Sequence, residues 1–331
     1  MGLRRAEMDA LSEILRVVQM SGAFFVNARF SAPWCYQSPR AALAAPWLAP
    51  SAEQIVIFHL ITEGGCLVEM EGADPLAVRT GDVVLFPTGC AHRMASAAGL
   101  SPPRGPADLK KLLSARPRRL AYGGGGAPTR IVCGYLACDT RLARLLLNGL
   151  PPVVRVSLRD SGAGQWLESS VAYALMEAKT PRPGGAGLLA RLAELLFIEV
   201  LRQYVHETDN QAGWLAGLGD RVVGGALNAL HQRPCHDWTL AELARAAGTS
   251  RSVLAERFQQ LVGTSPMQYL TQWRMVMAAN LLRCSNTPLS RVAEEVGYQN
   301  DTSFSRAFRR EYGLPPAAWR RNVVAQGVVP A

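Results

Sequence analysis

His59, Cys66, Cys90 and His92 are the side chains of this 331-residue chain whose types and spacing suggest site chemistry inside a fold. Imidazole and thiolate are good ligands for soft or borderline ions such as zinc or copper, so His59, Cys66 and His92 form a candidate metal set. A thiol beside a histidine can have a lowered pKa and oxidise readily, which makes Cys90 next to His92 a candidate oxidant sensor. The same four residues could line a small-molecule pocket, or be ordinary core residues on apolar strands. Spacing alone leaves these readings open. The seven cysteines are odd in number, irregularly spaced and without a CxxC pair, so they are expected to be thiols.

The second kind of chemistry is charge. The net charge is +9, and it is unevenly spread. From Arg221 onward there are 13 Arg and no Lys against 7 acidic residues, whereas the first 220 residues hold 22 basic and 19 acidic ones. A basic tail favours a polyanionic partner.

The elements that must position these groups fall into two halves, as the length allows. Residues 7–20 suit an amphipathic helix; Glu7, Asp9, Glu13 and Arg16 interrupt it, unlike the apolar core of a signal peptide. No apolar run reaches the ~18–20 residues of a membrane span, and the expected location is the cytoplasm. From about 24 to 98, short apolar runs (Gln54–Leu60, Cys66–Met70, Asp82–Phe86) alternate with glycine-containing turns, which predicts an antiparallel β barrel or sandwich. Residues 99–129 are rich in Pro, Gly and Arg and predict a flexible insertion with one helical turn near Leu109–Leu113. Strands are expected again at Arg130–Ala137 and Val153–Ser157, then helices over 163–178 and Leu188–Val205. The apolar face of the latter (Leu188, Leu192, Leu195, Leu196, Val200, with Glu199 and Gln203) suits a dimer seam. Residues 207–219 are expected to be a linker, and everything after Asp220 helical.

The tail repeats itself. Leu243-Ala244, Gly248, Phe258, Gly263, Pro266 and Tyr269 recur as Val292-Ala293, Gly297, Phe308, Gly313, Pro316 and Trp319, 49 residues on before the turn and 50 after it. Each copy reads as a short helix (Leu240–Ala247; Leu289–Val296), a glycine turn and a capped second helix. That helix has one apolar side (Val253, Leu254, Phe258, Leu261; Phe304, Ala307, Phe308, Tyr312). This is a helix-turn-helix pattern. A long helix over Met267–Arg283, opened by Pro266, would hold the two units about one turn of duplex, ~34 Å, apart.

WTLAELARAAGTSRSVLAERFQQLVGTSPMQYL followed by LSRVAEEVGYQNDTSFSRAFRREYGLPPAAWR resembles the DNA-binding domain of the AraC/XylS regulators over residues 221–322. The resemblance implies recognition helices at Ser250–Gln260 and Asp301–Glu311. It implies groove-facing Ser252, Ala255 and Glu256 with Arg251 near phosphate, then Asp301, Thr302 and Arg306 with Ser305 nearby. Arg309 and Arg310 would contact phosphate. Arg306 is the leading candidate, because Arg can bond guanine O6 and N7 together. Glu256 and Asp301 either accept from cytosine N4 or point away.

Gly81-Asp-Val-Val-Leu-Phe-Pro87-Thr-Gly89-Cys-Ala-His92 resembles the second cupin motif, a strand, a Pro-Gly turn and a strand that aims His92 inward. The first motif is eroded: His59 is present, Ile61 and Cys66 replace its second His and its Glu, and Ser96 replaces the final Asn of the second. A cupin metalloenzyme needs more of that set, so we expect no enzyme. The fold class implied is α+β multidomain: a cupin-like β barrel with a helix pair over 1–206 and an all-α double helix-turn-helix over 220–331. The expected function is promoter binding, with activation anticipated and repression open, governed by a small molecule, metal or oxidant sensed in the barrel. The expected partners are duplex DNA, a second copy through the 163–205 helices, and RNA polymerase. The alternatives are a cupin metalloenzyme with a DNA tether and a constitutive regulator with a scaffold barrel.

Overall fold

The computed structural model describes residues 9–17, 21–49, 52, 54–102, 119–138, 146–147, 149–159, 164–180, 182–207 and 213–325. Contacts divide the chain into two units: Met20–Ala143 with Leu150–Glu207, and Met1–Gln19 with Arg144–Gly149 and Thr208–Ala331.

The first unit holds β1 (Ser21–Ser31), β2 (Cys35–Ser38), β3 (Gln54–Glu63), β4 (Gly65–Glu69), β5 (Leu76–Arg79), β6 (Asp82–Phe86), β7 (His92–Ala95), β8 (Arg119–Gly123), β9 (Pro128–Cys138) and β10 (Val154–Ser157). They form a six-stranded sheet, β10-β6-β3-β9-β1-β8, and a four-stranded sheet, β2-β7-β4-β5. The described pairings are antiparallel except β1 with β8. Val26, Phe30, Ile57, Phe86, Val68 and Met94, drawn from both sheets, share one core. This matches the barrel-or-sandwich expectation.

Three local expectations need correction. Residues 119–123, expected within the flexible insertion, are strand β8: Leu120 and Tyr122 pack on the core, and Tyr122 Oη donates to the Cys35 carbonyl at 2.6 Å. The expected helical turn at Leu109–Leu113 lies outside the described residues. A helix, α2 (Ala41–Leu48), interrupts the strands, and its Ala41, Ala44 and Leu48 are buried. Its amide at Ala41 donates to the Gly89 carbonyl at 2.8 Å, and Tyr135 Oη donates to the Leu48 carbonyl at 2.7 Å. Gly89 has φ +59°, and a Cβ there would meet Ala41 Cβ at 2.5 Å, so the Pro-Gly turn is also the seat of α2. Third, α3 (Gly164–Lys179) and α4 (Gly185–Glu207) form as a pair, but α4 buries Ala193, Leu196, Phe197, Val200, Leu201 and Tyr204. Leu195, expected on the apolar face, is 43% exposed. Packing against β1 turns the Phe197–Leu201–Tyr204 stripe inward.

The second unit contains α1 (Ala10–Val17), α5 (Trp214–Gly219), α6 (Arg221–Gln232), α7 (Leu240–Ala246), α8 (Arg251–Val262), α9 (Pro266–Cys284), α10 (Leu289–Glu295), α11 (Asp301–Tyr312) and α12 (Pro316–Ala325). Helix α1, expected with the barrel, groups here: Ala10, Ile14 and Val17 are buried, α1 packs on α6, and the Ala10 amide donates to Asn228 Oδ1 at 2.9 Å. The expected linker shortens. Residues 208–212 lie outside the described set, while Trp214 is buried and its indole donates to Tyr269 Oη at 2.7 Å.

Candidate nucleic-acid interface and barrel interior

Each half of the tail is a short helix, a turn and an exposed second helix. Thr239 and Glu242 form a capping box on α7, and Ser250 caps α8 by accepting from the Val253 amide. In the second copy Asn300 caps α11 through the Ser303 amide at 2.8 Å. The turn glycines Gly248 (φ +65°) and Gly297 (φ +79°) take the left-handed conformation that the repeat requires. Leu254 and Phe258 bury one side of α8; Phe304, Ala307, Phe308 and Tyr312 bury one side of α11. Pro266 occupies the first turn of α9 behind the Ser265 cap, as the sequence predicts.

Burial decides which expected contacts face outward. Arg251, Ser252 and Glu256 on α8, and Asp301, Thr302, Arg306, Arg309 and Arg310 on α11, are exposed. Ala255 and Ser305 are only half-exposed and lie on the flanks. Val253, expected on the apolar side, is 41% exposed instead, and Gln259, Gln260 and Ser303 join the outward faces. An exposed Val is a group that can meet a thymine methyl, and sequence periodicity concealed it. Charge differs between the copies. Arg257 on α8 is paired with Asp220, and Gln260 Nε2 donates to Glu256 Oε1 at 3.3 Å. Arg306 and Arg309 have no ion-pair or hydrogen-bond partner among the described residues; Arg310 is 3.8 Å from Glu311. Asp301 stands in the first turn of α11, where the helix dipole favours a carboxylate. That gives Asp301 a structural reason to be acidic.

In the barrel, β3 and β7 bring His59 and His92 together, with Nε2 to Nε2 at 2.7 Å. His59 Nδ1 is 2.9 Å from Cys133 Sγ on β9, and His92 Nδ1 is 3.0 Å from the Cys90 carbonyl. A carbonyl only accepts, so His92 Nδ1 carries the proton and its Nε2 is the acceptor. His59 must then donate from Nε2, and its Nδ1 accepts the Cys133 thiol proton. The result is one directed chain, Cys133 to His59 to His92 to Cys90 O, with both rings neutral. Burial agrees: it holds the His59 pKa well below the usual value and brings His92 down to about 4. It also pushes the Cys133 and Cys66 thiols up to about 12. Phe86 stacks on His92 with ring centroids 3.6 Å apart.

The candidate metal set does not fit an ion. Both nitrogens of each ring are engaged, and two ligands of one tetrahedral zinc lie roughly 3.3 Å apart given bonds of about 2.0–2.1 Å. Among the described residues, no three His, Cys, Asp or Glu side chains are grouped to hold a metal. Cys66 lies near Cys133, and the sequence missed Cys133 as the thiol partner of His59, since the pairing spans 74 residues. Cys90 turns its carbonyl, not its sulfur, to His92; the thiol is 3.9 Å from Met70 Sδ and 3.7 Å from the Pro152 carbonyl. Ser96, in place of the motif Asn, pins Trp34: its hydroxyl accepts from the Trp34 amide at 3.0 Å.

Beside the histidine chain lies a cavity of about 580 Å³ counting its mouth, walled mainly by apolar groups such as Phe30, Ile57 and Met94. No helix among the described residues is long and apolar enough to cross a membrane.

Residues 9–206 match a family model described as cupin, and residues 243–322 match one described as a helix-turn-helix domain. An AraC-like transcription regulator of Streptomyces antibioticus is 36% identical over 276 residues, covering 82% of this chain and 88% of its own. The HTH-type transcriptional regulator AlkR of Acinetobacter baylyi is 27% identical, covering 95% and 99%. Among solved structures, the DNA-binding domain of AdpA in complex with a target DNA is 28% identical, covering 31% of this chain and 93% of that one, with a TM-score of 0.30.

Proposed function

The chain belongs to the AraC-like transcriptional regulators, with a cupin domain and a helix-turn-helix DNA-binding domain, and from that premise we propose that its barrel senses a small molecule and thereby governs promoter binding. It is a DNA-binding regulator, not an enzyme. The observation that carries the reading of its DNA site is the outward face of α11, where Arg306 and Arg309 stand exposed and, among the described residues, unpaired on a scaffold buried through Phe304 and Phe308. Arg306 is the guanine reader; Arg251, Arg309 and Arg310 contact phosphate; Ser252, Glu256 and Thr302 face the groove, with Ala255, Asp301 and Ser305 at its margin.

The domain arrangement we propose makes 1–206, apart from α1, the sensing and dimerising half and 220–331, with α1 packed on its α6, the reading half, working in the cytoplasm. The exposed Trp166, Tyr173 and Met176 of α3, with Leu195 of α4, are the surface on which a second copy seats, since seven- and three-residue steps place the α3 trio on one side. RNA polymerase would be met from the promoter-bound state. An effector can act only by binding one conformation better than another.

Selection of bound duplexes from a random pool by the full-length protein tests the DNA reading. The expected outcome is enrichment of a composite site with two base-specific blocks about one helical turn apart per chain. Recovery of unenriched duplexes at physiological salt would overturn it.

A further inference from the structure

The cavity beside His59 has a lining that says what it accepts. Its walls are hydrocarbon, including Val26, Phe30, Ile57, Met94 and Ile131, and among the described residues no Asp, Glu, Lys or Arg lines it. Helix α2 closes one side with Ala41, Ala44 and Leu48, and the two alanines are what leave the room.

Polar groups on the wall divide into two kinds. His59 and Cys133 are occupied by each other and by His92, so they have no bond to offer. Tyr36 and Ser38 are different. They are two residues apart on β2, both line the cavity, and neither side-chain hydroxyl has a hydrogen-bond partner among the described residues. Unspent hydroxyls in an otherwise apolar wall are a docking point for one polar group of a guest. A charged group would be buried there without a counter-ion, at a cost that a hydroxyl cannot offset.

We propose that the cavity binds an uncharged, mainly hydrocarbon molecule through a single hydroxyl or carbonyl held by Tyr36 and Ser38. This rests on the barrel being the sensing half and adds the ligand class.

The test uses the full chain and titrates 1-decanol, 2-undecanone, decane and decanoate at neutral pH by calorimetry, with thermal shift as a second readout. The alcohol and the ketone are expected to bind, with affinity rising about fourfold per methylene across a hexanol-to-decanol series. Decanoate should bind at least tenfold more weakly than decanol. Tyr36→Phe, which keeps the ring packing, should weaken decanol about fivefold and leave decane unchanged; Ser38→Ala should do the same. Decanoate binding as tightly as decanol, decane matching decanol in the wild type, or no binding of alcohol and ketone up to their solubility would each overturn the ligand class. The sensing reading fails separately: decanol binding that leaves affinity for the selected duplex unchanged would remove the barrel's control of DNA while the ligand class stood.

Discussion

The barrel interior and the outward face of α11 hold their chemistry in opposite states. Inside, Cys133, His59 and His92 are neutral and pass hydrogen bonds in one direction until a carbonyl ends the chain. On α11, Arg306 and Arg309 are charged, exposed and without partners among the described residues. The first arrangement is finished and specifies a core; the second lacks its counterpart, and a polyanion supplies it. Unspent bonding capacity, more than residue type, separates structural from functional groups here. The α8 face lies between the two, since Arg257 and Glu256 are already engaged by Asp220 and Gln260.

The contrast can be broken first from beneath. Phe308→Ala removes a fully buried ring that Tyr312 and Trp319 pack against, and should cost about 3–5 kcal/mol in denaturant unfolding of the tail. Val253→Ala on the exposed α8 face should stay within about 0.5 kcal/mol. A Val253 cost near that of Phe308 would mean that its side chain is packed, not presented.

Acid tests the neutral chain. The folded-state pKa of His92 lies below the ordinary histidine value, so the unfolded chain takes up protons first as pH falls. The stabilisation is complete above about pH 6.5 and is lost on the way down to about 4. His92 alone should cost the barrel about 2 kcal/mol between pH 7 and 5. A barrel unfolding midpoint that did not move over that range would show a protonated, differently bonded pair.

A smaller effect is expected at the start of α11. Asn300→Ala removes the acceptor of the Ser303 amide and should destabilise that helix by about 1 kcal/mol, seen as faster amide exchange in its first turn. Unchanged exchange would mean that the cap is not what orders the arginine face.

The same contrast explains what could be read in the sequence. Both second helices were legible because caps, glycines and aromatic spacing are local, and exposed arginines keep the role their charge suggests. Strand β6 was legible because Asp82–Phe86 is a short apolar run between turns. Helix α2 was not, because AALAAPWL has no polar face and contains Pro46, so neither period marks it. Strand β8 was hidden by the glycines and arginines around it; only its pairing with β1 makes it a strand. The burial face of α4 depended on β1, and the partner of His59 on a residue 74 positions away. Val253 was misread for a simpler reason: an apolar residue near a core stripe need not belong to it.

The central claim is that α11 presents Arg306 to a base and not merely to the backbone. Affinities of the wild type and Arg306→Ala for a selected duplex and for a scrambled one, measured at the same salt, decide it. The account predicts a loss on the selected duplex of roughly 1–3 kcal/mol with little change on the scrambled one. An equal loss on both would contradict it, leaving Arg306 as a phosphate contact.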